Sequence, residues 1–235
     1  MDTLFTTIND FVASILFFDI FFGLIDNTKM PFLVSWLAFG GIYLTFKFGF
    51  VNLRFMGHAF KIIRGKYKTK DDVGEISSFE SLSTALSATV GLGNIAGVAI
   101  AISVGGAGAT FWMILAGFLG MSLKFAEVTL SQQYREFRPD GTIMGGAMQF
   151  LSKGLKEKGM PKLGAFLAGL FALLTIGGAL GAGNAFQVNQ AMNAVQSKIN
   201  FFEIYPLAFG ILMAIVVGFV IIGGISRIAS TASKI

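Results

Sequence analysis

Thr89-Val90-Gly91-Leu92-Gly93-Asn94 interrupts an apolar run over residues 78–104. The run is long enough to cross a bilayer, since a spanning helix needs about 20 mostly apolar residues at a rise of about 1.5 Å. Its middle nevertheless carries two glycines flanking Leu92, and then an amide. A glycine in a helix interior costs about 1 kcal/mol relative to alanine. An unbonded backbone N–H or C=O in hydrocarbon costs several kcal/mol more, so irregular backbone at that depth persists only inside protein or beside a polar ligand. Broken helices of this kind hold substrates and ions at the midplane of secondary transporters. Residues 87–94 therefore read as a binding site.

Close packing is the competing reading. Gly93 and Gly97 have small-xxx-small spacing, which lets neighbouring membrane helices approach. The flanking polar residues Ser83, Thr84, Ser87, Thr89 and Asn94 favour a ligand instead. A dinucleotide-binding fingerprint is excluded, because the third glycine falls one residue late and no strand precedes it.

Composition sets the class. With 54% hydrophobic residues, 13% charged residues and a mean hydropathy of +0.72, the chain reads as an all-α polytopic membrane protein. A formal charge of +5 does not imply nucleic acid, because the basic residues are distributed as membrane loops require. There is no cysteine, hence neither a disulfide framework nor a thiolate metal site. The one histidine, His58, falls in a basic loop and reads as a solvated residue. The first basic residue is Lys29, so the start lacks the positive n-region of a signal peptide.

Residues 1–30 form an interfacial or half-inserted helix in this reading, because Asn9, Asp10 and Asp19 interrupt its apolar residues. A turn is expected at Asp26-Asn27-Thr28. The first membrane span occupies residues 31–53, apolar from Phe32 to about Phe50. Residues 54–76 are a basic loop, and residues 77–235 hold four further spans: the interrupted run, a run to about Leu130, a Gly-interrupted run over residues 163–195, and residues 205–222. Between the second and third of these, Met148 to Lys158 suits a short surface helix. The loops 54–76 and 134–162, with the tail after Gly224, fall on one side and carry most of the Lys and Arg. The positive-inside rule places that side in the cytoplasm and the amino terminus outside the cytoplasmic membrane.

Two further groups stand at membrane depth. Lys124 and Glu127 are at i, i+3, and suit either a structural ion pair or a role in coupling. Glu80 opens the interrupted run, where the helix dipole favours a carboxylate. Asn184 and Gln187 share a helix face beyond a kink expected at residues 177–183, with Asn189 and Gln190 nearby. They suit a helix end or contacts to a bound zwitterion equally well.

The stretch Ser83-Thr84-Ala85-Leu86-Ser87-Ala88-Thr89-Val90-Gly91-Leu92-Gly93-Asn94-Ile95-Ala96-Gly97-Val98 resembles the alanine/glycine:cation symporter family. Gly105-Gly106-Ala107-Gly108-Ala109-Thr110-Phe111-Trp112-Met113, the later Lys124-Phe125-Ala126-Glu127, and Gly183-Asn184-Ala185-Phe186-Gln187-Val188-Asn189-Gln190 are similar to it too. So is Gly223-Gly224-Ile225-Ser226-Arg227-Ile228-Ala229. Thr110 and Ile114 depart from the usual pattern, outside the presumed site. The resemblance implies the first part of a leucine-transporter-type fold of two inverted repeats, with a broken helix near residues 87–94, carrying alanine or glycine with sodium. Carried over by position, Thr89, Gly91, Leu92, Gly93, Asn94 and Gln187 would meet the substrate, the Leu92 and Gly93 amides facing its carboxylate. Ser87, Thr89, Val90 and Asn94 would ligate sodium. Exposed N–H groups suit an anion and oxygen ligands suit a hard cation.

No cofactor is implied beyond sodium as coupling ion. The resemblance implies about twice this length, so a carboxy-terminal repeat is expected as the partner of this chain. The alternative is a non-transporting membrane subunit or truncated fragment whose glycines serve only packing. An enzyme is disfavoured, because no motif pairs a nucleophile with a base.

Overall fold

The computed structural model describes every residue except 1, 23–28, 69–73, 75, 92 and 235, and for residues 2–5, 181 and 182 the backbone alone. The turn expected at Asp26-Asn27-Thr28 lies outside the described residues. In chain order the helices are α1 (Asp2–Leu16), α2 (Phe32–Lys47), α3 (Val51–Arg54), α4 (Met56–Ile63), α5 (Ser78–Thr89), α6 (Val98–Gly105) and α7 (Ala107–Gln133). Strands β1 (Glu136–Phe137) and β2 (Ile143–Met144) follow, then α8 (Ala147–Glu157), α9 (Pro161–Gly178), α10 (Phe186–Gln196), α11 (Asn200–Ile204), α12 (Pro206–Ile221) and α13 (Gly224–Ala232). π-Helical turns at Gly93–Gly97 and Ala179–Ala185 precede α6 and α10.

Apolar helices dominate, as composition requires. Among the described residues, Ala107–Gln133 and Pro161–Gln196 are each long and apolar enough to cross a membrane. Two bent pairs raise the number to as many as four if each pair is one span. The chain folds as two compact units, one of residues 1–56 with 108–129 and one of residues 57–107 with 130–235.

In the first unit α1 stops at Leu16, earlier than the apolar composition of residues 4–25 suggests. The chain turns at Asp19, whose carboxylate accepts the Phe21 and Met30 amides at 3.2 and 3.0 Å. Helix α2 starts behind Pro31 and ends at Lys47, short of the expected boundary near Phe50. Its end follows from left-handed backbone at Gly49 and Phe50, φ +57° and +56°. Glycine takes that conformation freely, whereas Phe50 is held there with its ring edge-on to Phe46 at 5.3 Å. Sixteen residues reach about 24 Å, less than the roughly 30 Å hydrocarbon core.

Helices α2 and α7 meet where Gly41 lacks a side chain. A β-carbon there would stand 2.9 Å from Leu119 Cβ. One turn on, the Thr45 hydroxyl lies 2.7 Å from the Gly41 carbonyl and is hydrogen-bonded to the Ser122 hydroxyl at 2.9 Å. Both residues are fully buried. Asn52 donates to the Phe118 carbonyl at 3.1 Å, and Phe48 meets Phe125 edge-on. On α7, Lys124 and Glu127 form an ion pair at 2.9 Å, with both side chains at least half exposed.

In the second unit, Ser77 and Glu80 make a capping box at the start of α5. Ser77 Oγ accepts the Glu80 amide at 3.2 Å, and Glu80 accepts the Ser77 amide at 2.8 Å. Glu80 is expected from sequence at a helix start on account of the dipole, and its capping partner Ser77 is an addition of the structure. Helix α13 packs on α5 and carries the fully buried Ala229. It leaves α12 at 110° through Gly224, φ +68°, so the tail after residue 222 is a separate helix.

Between α7 and α9 the expected surface helix is present as α8, packed against α9. Gly164 makes this possible, since a β-carbon there would stand 2.8 Å from the Leu151 carbonyl. No strand was expected here, yet β1 and β2 pair antiparallel, Glu136 opposite Met144. Strands of two residues are too short for hydropathy to announce them. The hairpin is held by side chains. Lys153 pairs with Glu136 at 2.9 Å, and this hydrogen bond and charge hold the Glu136 carboxyl below the usual range. Asp140 accepts the Thr142 hydroxyl and amide, which lowers its pKa as well. Tyr134 donates to Glu157 at 2.7 Å, which raises the phenol.

The glycines of residues 177–183 do not break their helix. The chain continues from Pro161 to Gln196 as one helical run, with π-helical backbone taking up the irregularity.

Candidate functional site

Helix α5 runs out at Thr89. The Val90 amide still reaches the Leu86 carbonyl at 2.7 Å, but Val90 itself is extended, φ −78° and ψ 97°. Helical bonding resumes at Gly93, with the Asn94 amide closing a turn onto the Gly91 carbonyl at 3.0 Å. The segments Ser78–Thr89 and Gly93–Gly105 meet at 61°. Leu92, placed at the centre of the site by sequence, lies outside the described residues.

Side-chain partners in the interruption are few. The Thr89 hydroxyl is turned back onto its own helix, donating to the Ala85 carbonyl at 2.7 Å, which uses its hydrogen and leaves its oxygen able to accept. Among the described residues, the Ser87 hydroxyl and the side-chain amide of Asn94 have no hydrogen-bond partner, and both residues are exposed. Exposed hydroxyl, carbonyl and amide oxygens are the donor set that a hard monovalent cation prefers. No group of three or more His, Cys, Asp or Glu that could hold a metal is present among the described residues.

The fold brings one distant residue to this place. Gln187, in the first turn of α10, lays its amide against Gly91, its Nε2 3.1 Å from where a β-carbon on Gly91 would stand. The glycines expected to bring the two segments together do not take part. β-Carbons at Gly93, Gly177 or Gly178 would meet nothing within 4 Å, and one at Gly183 would meet only Gly178 of its own helix. Among the described residues, the contact between the interruption and this helix is therefore made by a side chain and not by Gly177, Gly178 or Gly183. Gly97 is likewise open, so the small-xxx-small pair packs on nothing among the described residues. Asn189 accepts a hydrogen bond from Asn193 at 3.3 Å, one turn along its own helix. Lys124 and Glu127 belong to the other unit.

The sequence pattern of the sodium:alanine symporter family matches residues 17–235. The chain belongs to that family. The family is one of symporters, which is not an enzyme class, and membership together with the apolar helices makes the chain part of a multi-pass membrane protein. Within the family, the chain is similar to the sodium/alanine symporter AgcS of Methanococcus maripaludis, 40% identical over 205 residues, covering 87% of this chain and 44% of that protein. It is 37% identical over 211 residues to YaaJ, an uncharacterized transporter of Escherichia coli, covering 89% of this chain and 42% of the relative. It is 31% identical over 220 residues to the amino-acid carrier protein AlsT of Bacillus subtilis, covering 92% and 44%. The chain thus spans less than half the length of these relatives. The match begins nearer the start than the quoted motifs, which start at Ser83.

Proposed function

We propose that this chain is the amino-terminal part of a sodium-coupled symporter of small neutral amino acids, alanine or glycine, in the cytoplasmic membrane. The observation that carries the reading is the contact of the Gln187 amide with Gly91 at the point where α5 ends. An amide held against interrupted backbone, beside Asn94 and Ser87 without partners, supplies donors for a carboxylate and oxygens for a cation. In a hydrocarbon environment each unpaired amide or hydroxyl costs about 1–3 kcal/mol on mutational scales, and a polar ligand removes that cost.

In this reading Ser78–Thr89 and Gly93–Gly105 are the two halves of one broken span of a leucine-transporter-type repeat. The Leu92 and Gly93 amides meet the substrate carboxylate, with Thr89, Gly91, Asn94 and Gln187 around the substrate. Sodium takes oxygens from Ser87, Thr89, Val90 and Asn94. The basic loops face the cytoplasm and the amino terminus lies outside. The remaining contacts come from a second, inverted repeat, which the greater length of the relatives supports. One sodium ion entering down a tenfold gradient yields about 1.4 kcal/mol, and a potential of about 100 mV adds about 2.3. Together, about 3.7 kcal/mol sustains an amino-acid gradient of roughly several hundredfold.

Uptake of labelled alanine into proteoliposomes, with and without an inward sodium gradient, tests the proposal. The complete polypeptide is expected to accumulate alanine only with sodium. Accumulation that ignores sodium, or none of any neutral amino acid, defeats it.

A further inference from the structure

Helix α4 is amphipathic, and among the described residues much of its apolar face is exposed. Met56, Ala59, Phe60 and Ile63 recur at i, i+3, i+4 and i+7, and so form one stripe, with Gly57, His58 and Lys61 around the other side. Met56 is 48% exposed and Phe60 57%, too much for a helix whose stripe meets a neighbour in the described fold. The helix closes on a Schellman motif. Gly65 takes φ +74°, the Gly65 amide reaches the Ile62 carbonyl at 2.9 Å, and the Lys66 amide reaches Lys61 at 3.0 Å. The Tyr67 ring returns to within 4.9 Å of His58, so the segment that carries Lys66 and Lys68 stays beside the helix.

The charge on this segment has one sign. Residues 51–68 contain no Asp or Glu, and Lys61, Arg64 and Lys66 make no ion pair among the described residues, while Lys68 is near enough to Glu80 to interact with its charge. An exposed apolar stripe flanked by cations, most of them without an ion pair among the described residues, suits one environment, the boundary where acyl chains meet anionic headgroups. Position in the chain agrees, since α4 lies between apolar helix α2 and the candidate span that starts at Ser78.

We propose that α4 with its basic turn is a docking surface for anionic lipid. Met56, Phe60 and Ile63 enter the acyl boundary, and Lys61, Arg64, Lys66 and Lys68 bind headgroup phosphates of the leaflet. Seating the helix in this way ties the loop between α2 and α5 to lipid charge.

The chain contains no cysteine, so single probes are clean. Phe60→Cys places a fluorescent label on the apolar stripe. Gly57→Cys places one on the other side, where a β-carbon meets nothing within 4 Å. Each labelled chain is reconstituted in vesicles of phosphatidylcholine alone or mixed equally with phosphatidylglycerol, with bromine on the acyl chains as quencher. The Phe60 label is expected to be quenched severalfold more than the Gly57 label, and more in the phosphatidylglycerol vesicles. Each basic residue removed is expected to shift the seated-to-released ratio about fivefold at low salt. The combined Lys61→Gln, Arg64→Gln, Lys66→Gln, Lys68→Gln change should therefore abolish the effect of phosphatidylglycerol. High salt on the unaltered charges should do the same and decides the matter even if that variant does not reconstitute. Equal quenching in both vesicle types overturns the proposal, as does equal quenching of the two labels. So does quenching that falls as protein is raised against lipid while unlabelled Phe60→Cys chains cross-link, since a second copy would then cover the stripe.

Discussion

The side-chain amide of Gln187 rests on the backbone of Gly91, with Nε2 3.1 Å from the position of a β-carbon on that glycine. A methyl group there forces the amide to give way by a few tenths of an ångström. The glutamine side chain is flexible, so the fold absorbs the change while the arrangement of donors does not. Gly91→Ala in the complete protein is expected to weaken sodium-dependent alanine binding about tenfold, roughly 1.4 kcal/mol, with expression unchanged. Gln187→Ala should do the same, and the double change should add little, because both disturb one contact. Binding of labelled alanine to the purified variants measures all three. If Gln187→Ala lowers thermal stability and leaves affinity intact, the residue serves the helix and not the substrate.

Asn94 carries an amide with no partner among the described residues, just past the interruption. Asn94→Ala is expected to lower apparent sodium affinity by about tenfold or more, the scale of a lost hydrogen bond to a charged group. A sodium titration at fixed alanine checks this. An unchanged midpoint removes Asn94 from the cation site.

The buried Thr45–Ser122 hydroxyl pair joins α2 to α7. Ser122→Ala is expected to cost about 0.6–1.7 kcal/mol, the range for side-chain hydrogen bonds between membrane helices. Gly41→Val should cost more, because even a β-carbon stands 2.9 Å from Leu119 Cβ. Thermal unfolding in detergent orders the two. A milder effect of Gly41→Val than of Ser122→Ala contradicts the packing.

Substrate size follows from the same contact as substrate binding. With Gln187 already against Gly91, little room is left beside the backbone for a long side chain. One methylene in a tight pocket shifts discrimination by about 1–3 kcal/mol. Glycine and alanine are therefore expected to compete about tenfold or more strongly than leucine or phenylalanine. Equal competition by leucine contradicts a tight pocket.

Acid should loosen the hairpin between α7 and α8. The Lys153 hydrogen bond and charge lower the Glu136 pKa, so the contribution of the pair is present above the ordinary carboxylate range. It is lost as pH falls through the lowered value. Lys153→Gln is expected to raise the Glu136 midpoint toward the ordinary range, read by carboxyl NMR of labelled glutamate. A midpoint that does not move shows the pair to be absent in solution.

The membrane class, the place of the interruption and the family were legible in the sequence because each is a local signal. Hydropathy reports transfer of a segment between water and lipid, and it needs no partner. Helical bonding gives out at Val90 and Gly91 and resumes at Gly93, all within one short stretch of chain, and Glu80 opens its helix where the dipole favours a carboxylate. The interior of the site was legible only through the resemblance, which named Gln187, while the residues' own spacing left Gln187 open between a helix end and a ligand contact. Gly177 and Gly178 look like close-approach glycines in sequence, yet they face open space, and the contact with the interruption is made by Gln187. Which face of α10 turns toward Gly91 depends on the π-helical turn before it, where one extra residue rotates everything that follows by about 100°. Burial of Ala229 against α5, and of Ser122 against Thr45, likewise depends on elements far apart in the chain. Hydropathy says that a helix is apolar. Only packing decides which of its residues meets a neighbour.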